Sequence, residues 1–170
     1  SSEGISEIKT SNGVSDPHTW MSTVNASIIA QNICNALIAI DQKDSLYFRQ
    51  RLESLCEKIQ ATDLNVRKYL TKDKSKAFLI YHPTLTYFAK DYQLKQIPIE
   101  EHGREPSSAQ TADIIQQAKK DHVKVMFVQK QFSVKNTRAI TESVGATPVE
   151  INPFSYDWPN EMVNVAKSLK

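Results

Sequence analysis

Apolar residues follow two regimes along this chain, a helical period up to about residue 70 and short runs after residue 76. The opening stretch SSEGISEIKTSNGVS (1–15) is polar, holds two glycines and has no period, so it reads as a mobile arm. Asp16 and Pro17 then offer a helix cap and a first-turn proline. A helix is predicted from there to about residue 40, with Trp20, Val24, Ile28, Ile29, Ile33, Leu37 and Ile40 spread over much of its circumference. Such a helix expects burial on more than one side. A second helix is predicted over 43–69, with Phe48, Leu52, Leu55, Ile59, Val66 and Tyr69 on one face and charge on the other. At about 40 Å it is long enough to bridge two lobes. The later runs are AFLIY (77–81), QIPIE (96–100), VKVMFV (123–128) and TPVEI (147–151), and helical patterns at 83–91, 108–120, 133–144 and 159–169 alternate with them. This alternation predicts the α/β class, a four-stranded parallel sheet flanked by helices and joined by right-handed crossovers. Pro98 and Pro148 suit edge strands.

Composition narrows the picture. The 170 residues are 40% hydrophobic and 24% charged, as in a soluble globular domain with a real core. Basic and acidic residues alternate and the net charge is only +2, which argues against a nucleic-acid partner. No apolar run approaches the roughly 20 residues of a membrane span. The chain does not begin with Met and carries no signal peptide, so it reads as a mature form or a fragment. If the two helices pair about a turn near Asp41, Cys34 and Cys56 are offset by about six residues, or ~9 Å. That exceeds disulfide reach, and both read as small buried fillers.

Ligands of a parallel α/β sheet bind at the carboxyl ends of its strands. Those ends carry His82, then Glu100, Glu101 and His102, then Gln129, Lys130 and Gln131, then Asn152. His82 precedes Pro83 and His18 follows Pro17, each at a predicted helix start, where the positive end of the helix dipole disfavours imidazolium. Neutral imidazole is what a metal ion needs. A capping or core role stands beside the ligand role for both histidines. His102 reads as a solvated loop residue, His122 as surface, Glu105 as an ordering residue before a helix, and Asn152 as a turn residue before Pro153. Tyr81, Tyr87, Phe88 and Tyr92 read as core.

The segments DPHTW, YHPTLTYFAKDYQL, EEHGREPSS, MFVQKQFS and INPFSYDW occur in the order and spacing of a known family. From 16 to 169 the chain resembles the metal-specific solute-binding proteins, the zinc- and manganese-binding receptors of bacterial ABC importers. The resemblance implies two α/β lobes joined by one long rigid helix, with the ion between them. It divides the chain into the loop and last helix of the N-terminal lobe (1–42), the linking helix (43–72) and the C-terminal metal-binding lobe (73–170). His18 and His82 match two of the family's ligand histidines. The family's further N-terminal region, with its own strands and another ligand histidine, has no counterpart here, so most of the N-terminal lobe is expected to be missing. Asn152 stands where the family often has Asp, and an amide oxygen is the weaker donor. Asp157 or the 100–102 rim could compensate.

The expected function is extracytoplasmic binding of Zn²⁺, with Mn²⁺ as second candidate, and delivery to an ABC permease. Location would be periplasmic, with a lipid anchor as an option. The metal ligands would be His18, His82 and Asn152. The apolar helices, without their lobe, would favour self-association. Two alternatives stand beside this. One is a degenerate relative that binds a non-metal ligand or partner. The other is a metal-dependent hydrolase with Glu101 as general base, although no HExxH, nucleophile elbow or glycine-rich phosphate loop is present.

Overall fold

β1 (Ala77–Ile80) consists of apolar residues that are all buried, and a strand without an exposed face belongs inside a parallel sheet. In the computed structural model, which describes residues 1–10, 13–70, 76–100, 103–132 and 137–170, it lies there. The strand order is β2-β1-β3-β4, with β2 (Lys95–Pro98), β3 (Val125–Gln129) and β4 (Thr147–Ile151) parallel to their neighbours. Pro98 and Pro148 thus fall in the two edge strands, where a missing N–H costs least. The expectations for Glu101 and His102, and the predicted start of a helix at 133–136, lie outside the described residues.

Two apolar layers enclose the sheet. On one face Phe78, Ile80 and Phe127 pack with Phe88 of α3 (Thr86–Asp91), with Met162 and Val165 of α6 (Trp158–Ser168), and with Val66 of α2 (Ser45–Tyr69). On the other face Leu79, Met126 and Val128 pack with Ala118 of α4 (Ser108–Lys120) and Ile140 of α5 (Arg138–Val144). Tyr81, Tyr87 and Phe88 are core residues as expected, and Tyr92 packs against the first layer. α5 stops at Gly145, whose φ of 74° is the left-handed cap that glycine adopts without strain.

α1 (Thr23–Ile40) turns at Asp41 and packs back along α2. Cys34 is buried but Cys56 is only half-buried, and both thiols are free. Several expectations change here. α1 begins at Thr23, not at Pro17, because Ser22 caps it by accepting the Asn25 N–H at 3.0 Å. α3 begins at Thr86, not at residue 83; the Leu85 N–H is taken by the Gln96 side chain at 2.9 Å. Burial of α1 is incomplete among the described residues: Val24, Ile33, Leu37 and Ile40 stay exposed. By length and composition alone α1 is apolar enough to cross a membrane, contrary to expectation, yet its first turn is bonded into the lobe. Nor is the polar arm free: Asn32 Nδ2 donates to the carbonyls of Ser1 and Glu3, and the Ile8 N–H donates to the Tyr87 hydroxyl.

A polar cluster ties these helices to the lobe. The Ser22 hydroxyl donates to Asp91 at 2.5 Å, and the Thr23 and Tyr92 hydroxyls donate to Asp63 at 3.0 and 2.8 Å. Arg67 completes the shell of Asp63 at 2.7 Å. Burial pushes the Asp63 carboxyl up, but the bonds from Arg67, Tyr92 and Thr23 outweigh it and hold the pKa below the usual range. Asp91 goes the other way: burial raises its pKa, and the bond from Ser22 only partly offsets that.

A folded pKa above the unfolded one means that the folded state holds the extra proton between the two values, so stability falls as pH rises through that window. Asp91→Asn abolishes this dependence. The melting temperature of the variant minus that of the wild type is therefore expected to climb as pH rises from about 3.9 through the folded pKa, then level off. A flat or falling difference in thermal unfolding scans would refute the raised pKa.

Candidate metal site

His82 sits where the sheet delivers it. The Tyr81 N–H closes the β1–β3 ladder on the Phe127 carbonyl at 2.9 Å, and Pro83 then ends the strand. β2 ends beside it, and its continuation brings in Glu100, which is 5% exposed. The Glu100 Oε1 lies 3.1 Å from His82 Nδ1 and also accepts the Gly103 N–H at 2.7 Å. Gly103 takes φ of 76°, a left-handed conformation that glycine adopts without strain.

His18 arrives from a loop, not a helix. Asp16, expected as a helix cap, accepts the backbone N–H of His18 at 2.8 Å and lies 2.7 Å from its Nδ1. An aspartate bonded two residues ahead makes a local turn. Burial opposes ionisation of Asp16, but its bonds from His18 and Thr86 prevail and hold its pKa below the usual range. The Tyr87 hydroxyl donates to the Asp16 carbonyl at 3.2 Å and fixes the loop to α3.

The two imidazoles meet. Their centroids are 5.3 Å apart with planes at 80°. The helix-dipole argument made from sequence does not hold for either, since no helix begins at either residue. Each ring has instead a buried carboxylate at Nδ1, and Nε2 has no hydrogen-bond partner among the described residues. A carboxylate behind a histidine is the usual support of a metal ligand, because it fixes the tautomer and raises the basicity of the other nitrogen. An ion at ~2.0–2.1 Å from each Nε2 sits about 3.2 Å from each ring centre, so a tetrahedral angle calls for centroids about 5.2 Å apart. The observed separation fits.

Asn152 follows β4 on the same rim. Its Oδ1 accepts the Phe154 N–H at 3.3 Å, and its own N–H donates to Glu161 at 2.8 Å. This is the turn role expected for it, and the amide oxygen keeps a second lone pair. The tryptophans link this loop to that of His18: Trp20 Nε1 donates to the Pro153 carbonyl and Trp158 Nε1 to the Trp20 carbonyl, each at 3.0 Å. Asp157 caps α6 through Asn160. The Glu105 carboxylate accepts the Tyr81 hydroxyl at 3.3 Å, and His122 is exposed. No group of three or more His, Cys, Asp or Glu that could hold an ion occurs among the described residues. Sequence reasoning missed Asp16 and Glu100 as partners of the rings. The Asp-x-His spacing and the place of Glu100 just past the strand beside β1 were the available signals.

Comparison with known proteins places the sequence and the fold of the chain in one family. The family model described as zinc-uptake complex component A, periplasmic, matches residues 1–170. The high-affinity zinc uptake system protein ZnuA of Bacillus subtilis (strain 168) is 31% identical over 139 residues, 81% of this chain and 44% of that protein. The zinc-binding lipoprotein AdcA of Streptococcus pneumoniae serotype 4 is 30% identical over 143 residues, 82% of this chain and 28% of that protein. The chain thus spans less than half the length of these two relatives. A crystal structure of ZnuA superposes with a TM-score of 0.92 at 30% identity, covering 98% of this chain and 65% of that one.

With a carboxylate at each Nδ1, both neutral rings are expected as the Nδ1–H tautomer. Nitrogen-15 NMR of the imidazoles reads this directly. An Nε2–H tautomer at either ring would leave it without a free Nε2 and contradict the arrangement.

Proposed function

The chain belongs to the zinc-uptake complex component A family, and from that premise we propose that it forms the metal-binding half of an extracytoplasmic solute-binding protein. Its cargo is Zn²⁺, with Mn²⁺ as second candidate, and it passes the ion to an ABC-type permease. The observation that carries this reading is the pair of edge-to-face imidazoles, each with a buried carboxylate at Nδ1. Neutral nitrogen donors suit zinc, and added carboxylate oxygens would shift preference to manganese. We assign His18 and His82 as ligands through Nε2, with Asn152 Oδ1 as a third, weaker donor. The nitrogen pair fills half of a tetrahedral shell, so the site needs further donors beyond these two rings. The role is binding and release without catalysis, which accords with a family of solute-binding proteins. Location is periplasmic, and a lipid anchor accords with the lipoprotein among the relatives. The exposed apolar positions of α1, with Leu46, Tyr47, Leu55 and Leu64 of α2, give the isolated chain a surface for self-association.

Titration against a competing chelator tests the site. His82→Ala is expected to weaken zinc binding at least tenfold, about 1.4 kcal/mol. An unchanged affinity would make His82 structural and move the site elsewhere. This 170-residue chain alone is expected to bind zinc far more weakly than a complete structural site does. Tight one-to-one binding by the chain alone would show that its own residues close the shell.

A further inference from the structure

Resting on the reading of His82 as a ligand, we infer that Gln129 is its positioning residue, a side-chain amide that holds the His82 peptide groups where the sheet no longer can. The β1–β3 ladder ends at the bond from Tyr81 to Phe127. Pro83 follows His82, has no N–H of its own and turns the chain away. The backbone groups of His82 therefore lack a neighbouring strand on this side. Gln129, the last residue of β3, takes that strand's place, and its side chain is buried, the residue being 2% exposed. Its Oε1 accepts the His82 N–H at 3.2 Å. Its Nε2 donates to the His82 carbonyl and, at 3.0 Å, to the Thr84 hydroxyl. The amide uses its oxygen and both of its hydrogens, and it grips both peptide groups of one residue as a paired strand would.

The chemistry of the position is specific. Its strand neighbours Met126, Phe127 and Val128 are fully or almost fully buried and apolar, so packing alone calls for a hydrophobic residue. A buried amide is tolerated because every polar atom is bonded. Glutamate has the same shape but no hydrogen for the His82 carbonyl or Thr84. Methionine has the volume and neither function. Asparagine is shorter by one methylene. The consequence falls on the ring: the His82 side chain is one-third exposed and is held at Nδ1 by Glu100, so its backbone decides where Nε2 points. Metal ligands must sit within about 0.2 Å of their place.

The test is a chelator-competition titration with zinc on the full-length protein and on Gln129→Met, Gln129→Glu and His82→Ala. Gln129→Met combined with His82→Ala completes the cycle, and amide hydrogen exchange at His82 is measured in the metal-free proteins. Gln129→Met and Gln129→Glu are each expected to weaken zinc binding by about tenfold or more. The expected effect of Gln129→Met largely disappears in the His82→Ala background, because it acts through that ring. The His82 amide is expected to exchange faster in both single variants. Gln129→Asn serves as the milder variant should either single variant fail to fold, and the same two losses are expected of it. With a wild type that binds zinc, unchanged affinity in the Gln129 variants overturns the positioning role alone. So does an equal loss with and without His82, or unchanged exchange at the His82 amide. A wild type that does not bind zinc, or a His82→Ala protein that binds as well as wild type, overturns the ligand reading and this inference with it.

Discussion

A strand with apolar side chains on both faces has to lie inside a sheet, and β1 is that strand. Phe78, Leu79 and Ile80 are completely buried, with a phenylalanine layer from Phe78 and Phe127 on one face and Leu79 with Met126 on the other. The chain can become polar only where β1 ends, and His82 is the second residue past that end, with Pro83 barring any further ladder. The parallel arrangement also puts the ends of β2, β3 and β4 on the same rim. Glu100, Gln129 and Asn152 stand there for the same topological reason as His82. A rim of polar groups is thus a consequence of burying β1, and the chemistry of the site is the choice of residue at each strand end.

His18 reaches the rim by different means. It is carried by the segment between the N-terminal residues and α1, and hydrogen bonds fix that segment rather than sheet pairing. Tyr87 holds the Asp16 carbonyl, the tryptophan pair holds the Asn152 loop against Trp20, and Ser22 is bonded to Asp91 while capping α1. Asp63 of α2 gathers Thr23 of α1, Tyr92 at the end of α3 and Arg67 of its own helix. Single surface pairs contribute little, but a half-buried network with several donors on one carboxylate is more consequential. The distance between the two imidazoles therefore depends on contacts well outside the site.

The parts legible from sequence were those governed by long-range periodicity. Alternation of apolar runs with helical patterns placed all four strands within two residues of their ends, and the two prolines marked the edges. Local competition was less legible. Asp16 followed by Pro17 has the residues of a helix start, yet Asp16 spends its carboxylate on His18, and the helix waits for Ser22. Pro83 likewise suits a first turn, but the Leu85 N–H goes to Gln96 and α3 starts later. Such outcomes depend on partners distant in sequence. The apolar circumference of α1 was read correctly as a residue pattern, but the inferred burial is incomplete, because Val24, Ile33, Leu37 and Ile40 keep much of their surface exposed. The histidine pair was legible as two candidates; that they touch, and that Asp16 and Glu100 back them, was not.

The donor set bears on how an ion would be both held and released under the proposed reading. Zinc sites that contribute folding energy close their shell with four protein ligands, often thiolates. On the proposed reading the donors are imidazole nitrogens, and the carboxyl groups of Asp16 and Glu100 sit one hydrogen bond further out. Such outer carboxyl groups support the nitrogens without occupying a coordination position. An ion bound by this pair alone has half its shell open, so its residence depends on donors brought up from elsewhere, and removing those donors lets it go. The same carboxylates hold both rings in the structure without an ion, so on that reading the half-site is already formed before an ion arrives. On the proposed reading, a pre-formed pair of ligands with an incomplete shell suits a cargo ion better than a structural metal.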